Sequence, residues 1–151
     1  MKLYIDTSVF GGYYDVEFEN PSRKLFKEIF NLEHSIAISN ITLNELEKSP
    51  EKVRLLLNKV LKLDVELLNI DKEVEVLAKH YIKEKIVSEK YLLDAYHIAI
   101  GTINRVDVIV SWNFKHMVNI LRIKSYNSVN LKYGYGLIDI RSPLEIINEK
   151  D

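Results

Sequence analysis

Apolar and polar residues alternate along the chain in blocks that predict strands and helices in turn. A short apolar run at residues 3–5 ends at polar residues 6–8, which predicts a buried first strand. The glycine pair at residues 11–12 then predicts a loop. Apolar residues at helical spacing predict a helix over residues 21–32 with proline in its first turn, and residues 35–39 predict a second strand.

The remaining pattern predicts helices over residues 41–47, 51–63, 71–86 and 88–105, and strands over residues 64–70, 106–110 and 137–140. The helix over residues 88–105 is apolar on nearly every side, which indicates a central, buried position. Strands that alternate with helices of roughly 10 to 15 residues favour an α/β fold, with a mostly parallel twisted sheet in a three-layer α/β/α arrangement. Because no linker or repeat interrupts the pattern, we expect one domain over residues 1–151.

Polar residues directly after strands are the candidates for chemistry, since open parallel sheets bind ligands beyond the carboxyl ends of their strands. Asp6 follows the first strand directly, so we expect its carboxylate at that edge. A structural alternative stays open, because Asp6, Thr7 or Ser8 could each cap a short helix that follows.

Two further acidic residues lie on predicted helices. Glu45 lies in the helix after the second strand, where Thr42-x-x-Glu45 also matches a capping box, a purely structural arrangement. Asp94 lies in the most apolar helix, and a buried carboxylate has to be paired or coordinate a metal. The nearest basic residue in sequence, Lys90, is expected to be solvated, so a functional role is favoured for Asp94. His97, three residues later, is expected to be a hydrogen-bonded residue of the pocket wall.

The composition narrows the chemistry. Hydrophobic residues make up 47% of the chain and charged residues 28%, which is typical of a globular protein. Cysteine is absent, so there are no disulfides or thiolate metal ligands, in agreement with a reducing cytoplasm. Carboxylates with few histidines suit Mg²⁺ or Mn²⁺ better than zinc.

The first ten residues are too polar for a signal peptide and no apolar run reaches the ~18 residues of a membrane helix, so we expect a soluble cytoplasmic protein.

A net charge of −1 gives no overall reason to bind nucleic acid, but the charges are unevenly distributed. No acidic residue occurs between Asp107 and Asp139, whereas four basic residues do: Lys115, Arg122, Lys124 and Lys132. The same segment contains Tyr126, Tyr133 and Tyr135, and such a mixture can neutralise phosphates and stack on bases. We therefore predict RNA contacts from Lys115, Arg122 and Lys124, with a solvated loop as the alternative.

The polar segment after the fourth strand is Ser111-Trp112-Asn113, which is expected at the same ligand edge. Asn113 could instead cap a helix that begins near Phe114.

Four segments in order resemble the successive motifs of the PIN domain family, notably its VapC-like toxins: Leu3-Tyr4-Ile5-Asp6-Thr7-Ser8-Val9, Asn44-Glu45-Leu46, Leu93-Asp94-Ala95-Tyr96-His97-Ile98-Ala99 and Ser111-Trp112-Asn113-Phe114-Lys115-His116. The resemblance extends over almost the whole chain. It implies a ribonuclease that hydrolyses RNA with Mg²⁺ or Mn²⁺ ions, and it assigns the metal-binding acids to Asp6, Glu45 and Asp94. It also implies hydroxyl groups that orient ligands or substrate at Thr7, Ser8 and Ser111.

The chain departs from the family pattern in the last motif. Family members commonly have an aspartate two or five residues after the hydroxyl residue, where this chain has Asn113 and His116. An amide oxygen can still coordinate a hard cation, so Asn113 is expected to complete the coordination shell, while the charge available for a second ion is reduced. The resemblance also implies an antitoxin partner and a homodimer.

Two other functions remain open. One is a catalytically weakened PIN domain that binds RNA or a protein without cutting it, because the fourth aspartate is missing. The other is a phosphate-handling α/β enzyme or a receiver domain built around Asp6. The second is disfavoured, because residues 6–8 lack the second aspartate of a D-x-D motif and the first strand carries no acidic pair.

Overall fold

The computed structural model describes residues 1–148, and its centre is a five-stranded sheet. The strands are β1 Lys2–Ile5, β2 Ser35–Ser39, β3 Val65–Leu68, β4 Val108–Val110 and β5 Asp139–Arg141. Their order is β3-β2-β1-β4-β5, and every neighbouring pair is parallel. The predicted α/β class is confirmed, and the sheet is wholly parallel.

Eight α-helices flank the sheet among the described residues: α1 Thr7–Gly12, α2 Glu19–Phe30, α3 Asn40–Leu46, α4 Glu51–Leu61, α5 Lys72–Lys83, α6 Leu92–Ile103, α7 Ile120–Lys132 and α8 Pro143–Ile146. A short 3₁₀ turn, Glu89–Tyr91, leads into α6. Pro50 stands directly before α4, as expected for a residue that cannot continue α3 but can precede a new helix.

Two apolar cores lie on opposite faces of the sheet, because successive side chains of a strand point to opposite sides. Tyr4 packs with α5, α6 and α7 on one face. Leu3 and Ile5 pack with α1, α2 and α4 on the other. The expected three-layer arrangement is therefore present, and β1 contributes to both cores from the middle of the sheet.

Two segments differ from the prediction. The glycine pair belongs to helix α1, which Asp6 caps, and does not mark a loop. At Gly12 the ring of Trp112 packs directly against the helix, where a larger residue would not fit. The segment between Asp107 and Asp139, which has no acidic residue, had a solvated loop as one predicted structure. It contains the four-turn helix α7, capped at its start by Asn119. Tyr126 is fully buried in α7, so its proposed stacking on RNA bases is wrong.

The parallel arrangement places the ends of β1, β2 and β4 at one edge of the sheet, the edge at which ligands are expected. Within residues 1–148, no helix combines the length and apolar character needed to cross a bilayer. The expected domain ended at residue 151, and residues 149–151 lie outside the described residues.

Gly101 tests the packing of α6 against the sheet. A Cβ at this position would lie 2.6 Å from Ile109 Cδ1, in a fully buried contact with β4. We expect Gly101→Ala to destabilise the fold by about 1–3 kcal/mol despite its better helix propensity, because overpacking displaces Ile109. Gly11→Ala is the matched control, since nothing lies within 4 Å of its Cβ and it should gain up to ~1 kcal/mol. Urea unfolding of both variants measures the difference, and equal stability of the two would contradict the close contact.

Candidate active site

Asp6 occupies the end of β1 and the cap of α1 at the same time. Its side chain is 4% exposed. The Oδ1 atom accepts a hydrogen bond from Ser8 N at 2.5 Å, and the Oδ2 atom accepts one from Ser111 Oγ at 2.5 Å. The capping alternative for Asp6 is therefore correct, and it coexists with the position at the ligand edge. A buried carboxylate is held in place here by donors from two strand ends.

Ser8 and Ser111 extend this junction between the ends of β1 and β4. Ser8 Oγ accepts a hydrogen bond from Trp112 N at 2.9 Å, and Ser111 Oγ accepts one from Asn113 N at 2.9 Å. The two hydroxyl groups lie 3.4 Å apart. Both serines thus fix the loop after β4 relative to Asp6.

Glu45 lies in the last turn of α3 and does not take part in a capping box. The cap of α3 is Ser39, whose Oγ accepts from Thr42 N at 3.3 Å, so the Thr42-x-x-Glu45 alternative is wrong. Glu45 Oε1 instead accepts a hydrogen bond from Thr7 Oγ1 at 3.0 Å. This bond links α3 to the residue directly after Asp6.

His97 is the second partner of Glu45. Its Nε2 atom lies 2.9 Å from Glu45 Oε1, and its Nδ1 atom lies 2.6 Å from the Tyr4 hydroxyl. Burial disfavours ionisation of Glu45, but the hydrogen bond and charge of His97 and the bond from Thr7 outweigh it and lower the pKa of Glu45. Burial also disfavours a charged His97, yet its bond to Glu45 and the charges of Asp6, Glu45 and Asp94 raise the pKa of His97. All three predicted acids therefore act on one buried imidazole.

Asp94 lies in the first turn of α6 and is half-buried. Burial raises its pKa, and the negative charge of Asp6 adds to that increase. The charges of His97 and His116 and a hydrogen bond from Asn113 lower the pKa but do not cancel the effect of burial. Within residues 1–148, no lysine or arginine forms an ion pair with Asp94, so a salt bridge does not explain it.

Asn113 caps a turn. Its Oδ1 atom accepts a hydrogen bond from His116 N at 3.0 Å, and its side chain is close enough to Asp94 to lower the pKa of that carboxyl. The residues after it form a turn over residues 114–117, so the helix expected near Phe114 is absent. Because Oδ1 already accepts the His116 amide, the Asn113 amide group faces Asp94 as a donor.

The geometry of these groups bears directly on metal binding. In the described part of the chain, no three aspartate, glutamate or histidine side chains lie close enough together to hold one ion as they stand. Asp6 and Asp94 influence each other, whereas Glu45 is turned toward Thr7 and His97. The available donors are nonetheless carboxylate oxygens, which suit a hard cation, and one of them, Asp94, has a pKa that is raised mainly by burial.

The three predicted RNA-contacting cations do not share one surface. Lys115 lies 5.9 Å from the centre of the Tyr91 ring. Burial lowers the pKa of His116, and the charges of Arg122 and Lys115 lower it further. Lys124 is two positions from Arg122 on α7, and residues at that spacing point to different sides of a helix. Lys124 lines a separate groove beside Glu84. Lys124 is therefore separated from Lys115 and Arg122.

Sequence reasoning missed Tyr4 as a member of the site. It lies in a buried strand and was indistinguishable in the pattern from a core aromatic residue. The position of His97 did give a signal, because a histidine in the most apolar helix needs hydrogen-bond partners. Those partners lie 52 and 93 residues away in sequence and appear only when the strands and helices assemble.

Comparison with known proteins agrees with this arrangement. Residues 3–112 match the family model of the PIN domain. The search among curated proteins found no match.

Three solved structures share the fold. VapC20 from Mycobacterium tuberculosis, described as a Sarcin-Ricin loop cleaving toxin, has a TM-score of 0.56 at 13% identity, over 75% of this chain and 91% of that chain. VapBC2 from Rickettsia felis, bound to a DNA fragment from its promoter, has a TM-score of 0.52 at 19% identity, over 93% and 98%. FitAcB from Neisseria gonorrhoeae has a TM-score of 0.58 at 14% identity, over 95% and 99%.

At these identities the three structures are evidence for the fold, while the family model covers the first strand, the three acids and the end of β4. The chain belongs to the PIN domain family.

Proposed function

We propose that this chain is a divalent-metal-dependent ribonuclease that hydrolyses RNA phosphodiester bonds. The observation that carries the proposal is that Asp6, Glu45 and Asp94, from three separate elements, all act on the same buried His97 at the ligand edge of the sheet. Like charges gathered in this way repel each other unless a cation joins them. Membership of the PIN domain family supports the same function.

In the proposed site, Asp6 and Asp94 would hold the ion, which is Mg²⁺ or Mn²⁺, and Glu45 would ligate it directly or through water. A divalent ion supplies Lewis acidity that activates water and stabilises the charge developing on a phosphate. The chain's own residues provide the orientation. The backbone N–H of Ser8 and the hydroxyl of Ser111 hold Asp6, and the hydroxyl of Thr7 holds Glu45, so these three residues would support the acids without themselves binding the ion.

We further propose that the protein is the toxin of a toxin–antitoxin pair. Its fold is similar to that of VapC20, described as a Sarcin-Ricin loop cleaving toxin, and to those of VapBC2 and FitAcB. In this proposal an antitoxin protein silences the site, and the chain itself forms a homodimer. Co-expression with the product of a neighbouring reading frame, followed by co-purification and recovery of growth, tests the pairing.

A catalytically weakened PIN domain is the second candidate. Two observations favour it: no three acidic or histidine side chains among residues 1–148 are arranged to hold one ion, and Asn113 uses its oxygen for a turn. Cleavage of labelled RNA with Mn²⁺, Mg²⁺ or a chelator separates the two candidates. Metal-dependent cleavage supports the nuclease, whereas RNA binding without cleavage in every condition supports the binding module.

Asp94→Asn should abolish cleavage while the protein stays folded. Because the pKa of Asp94 is raised in the folded protein, its ionised form destabilises the metal-free fold, and the amide removes that cost. We expect a melting temperature higher by at most a few degrees at neutral pH. The gain should vanish as the pH falls below the range in which an ordinary aspartate ionises, because Asp94 is then protonated in both states. Unfolding of the variant at neutral pH would identify Asp94 as a structural residue.

Reversing the charges of Lys115 and Arg122 should weaken RNA binding, because both lie on the side of the site that contains His116. For a single strand each phosphate contact contributes about 0.7 to the salt dependence, so the double change to glutamate should reduce the slope by roughly 1.4. Lys124→Glu is the matched control, since Lys124 lies beside Glu84 in a separate groove. Fluorescence anisotropy across salt concentrations measures both quantities, and an equal effect from Lys124→Glu would show that Lys124 contributes to RNA binding as much as the other two residues.

Asn113→Asp tests the position where the chain departs from its family. The aspartate can still accept the His116 amide, but it loses the donor to Asp94 and adds a negative charge beside it. We expect lower stability without metal and tighter Mn²⁺ binding by calorimetry, because a fourth carboxylate attracts a cation more strongly. Should Mn²⁺ bind no better than to the parent protein, Asn113 serves the turn alone.

A further inference from the structure

A buried chain of hydrogen bonds runs from the sheet to the Glu45 carboxylate. Ser39 Oγ lies 2.7 Å from the Tyr4 hydroxyl, which lies 2.6 Å from His97 Nδ1. His97 Nε2 in turn lies 2.9 Å from Glu45 Oε1. Tyr4 and Ser39 are fully buried and His97 is 3% exposed, so solvent does not compete for these bonds.

The residues joined by these hydrogen bonds belong to the secondary-structure elements around the site. Tyr4 belongs to the central strand β1, and Ser39 also caps α3, the helix that carries Glu45. His97 lies one turn after Asp94 on α6. These hydrogen bonds therefore connect β1, which directly precedes Asp6, with α3 and α6, which carry Glu45 and Asp94.

The bonds at Glu45 all fall on one of its two oxygens. Oε1 accepts from Thr7 and from His97, which uses both of its lone pairs. Within residues 1–148, Oε2 has no hydrogen-bond partner, and the side chain is 32% exposed. One carboxylate oxygen is thus fixed by the protein, and the other is left for a ligand.

We propose that His97, oriented by Tyr4, is a positioning residue that holds Glu45 by saturating Oε1 and so presents Oε2 as its coordinating atom. This inference rests on the proposed function, because it takes Glu45 to be a metal ligand. Groups that orient a ligand in this way change metal affinity by about 10–100-fold when they are removed.

The packing of His97 does not by itself require a histidine. Apart from Asp94, the residues nearest to it on α6 are mostly apolar, and a leucine or methionine would fill a similar volume without two polar atoms to satisfy. An imidazole, by contrast, can donate a hydrogen bond from Nε2 to Glu45 while Nδ1 is hydrogen-bonded to Tyr4. This property predicts that the two ring nitrogens have separable roles.

Two amide substitutions at His97 separate those roles. The amide nitrogen of glutamine overlays Nε2 and preserves the donor to Glu45, whereas the shorter asparagine reaches only the position of Nδ1, beside Tyr4. We expect Mn²⁺ affinity measured by calorimetry to stay within about threefold of the parent in His97→Gln and to fall about 10–100-fold in His97→Asn. A purely structural histidine would give equal losses.

Three further variants complete the test. Tyr4→Phe keeps the aromatic ring but frees Nδ1, so it should weaken Mn²⁺ binding by less than His97→Asn does. His80→Asn is the matched control, since His80 is stacked on Tyr133 at 3.7 Å on the outer helix α5, and it should bind Mn²⁺ as the parent does. In a Glu45→Gln background, His97→Asn should cause no additional loss, because its effect passes through Glu45.

The outcomes distinguish the inference from the proposed function. If Glu45→Gln binds Mn²⁺ like the parent, Glu45 is not a ligand, and the role proposed for it fails together with the inference. If Glu45→Gln loses affinity while His97→Asn and His97→Gln bind equally well, the inference alone is overturned. Thermal unfolding of each variant without metal accompanies the calorimetry, and should His97→Asn fail to fold, Tyr4→Phe and the combined Glu45 variants decide the question.

Discussion

The hydrogen bond from Ser111 to Asp6 joins the ends of two neighbouring parallel strands, and the rest of the candidate site depends on it. Because β1 pairs in parallel with both β2 and β4, their carboxyl ends lie side by side, and residues that follow different strands meet. A buried carboxylate without partners would be costly. Ser8 and Ser111 supply donors to both oxygens of Asp6, so the protein's own groups hold the first acid in place.

Helix α6 connects this junction to the other two acids. Asp94 and His97 lie one turn apart on it, so the helix that supplies one carboxylate also supplies the donor to another. The contact between Gly101 and Ile109 brings the later part of the same helix close to β4. The position of Glu45 relative to Asp6 and Asp94 is therefore set by how α6 packs on the sheet, and packing and electrostatics are coupled at this point.

Residues with strong periodic patterns were predictable from the sequence. The five strands and helices α2 to α6 follow directly from apolar spacing and from Pro50, and three acids at one sheet edge follow from their places after strands or on the flanking helices. Helix α7 was not recognised, because asparagine, serine and β-branched residues weaken its helix propensity and Ile120 and Leu121 are exposed. Bonds such as those of His97 to Tyr4 and Glu45 join residues far apart in sequence, and no local pattern contains them.

A site that gathers carboxylates repels the phosphates of the RNA that we propose as its substrate. The overall charge of −1 offers no long-range attraction, so any attraction has to arise close to the site, within the ~8 Å over which salt leaves charges unscreened. Tyr126 contributes to this requirement from inside the core, because its hydroxyl donates to His116 O at 3.0 Å and thereby ties α7 to the loop after β4. That contact brings Arg122, one turn earlier on α7, toward His116. The buried tyrosine thus serves the proposed RNA contact by holding Arg122 beside His116, and it does so from the core and not as a base-stacking residue on the surface.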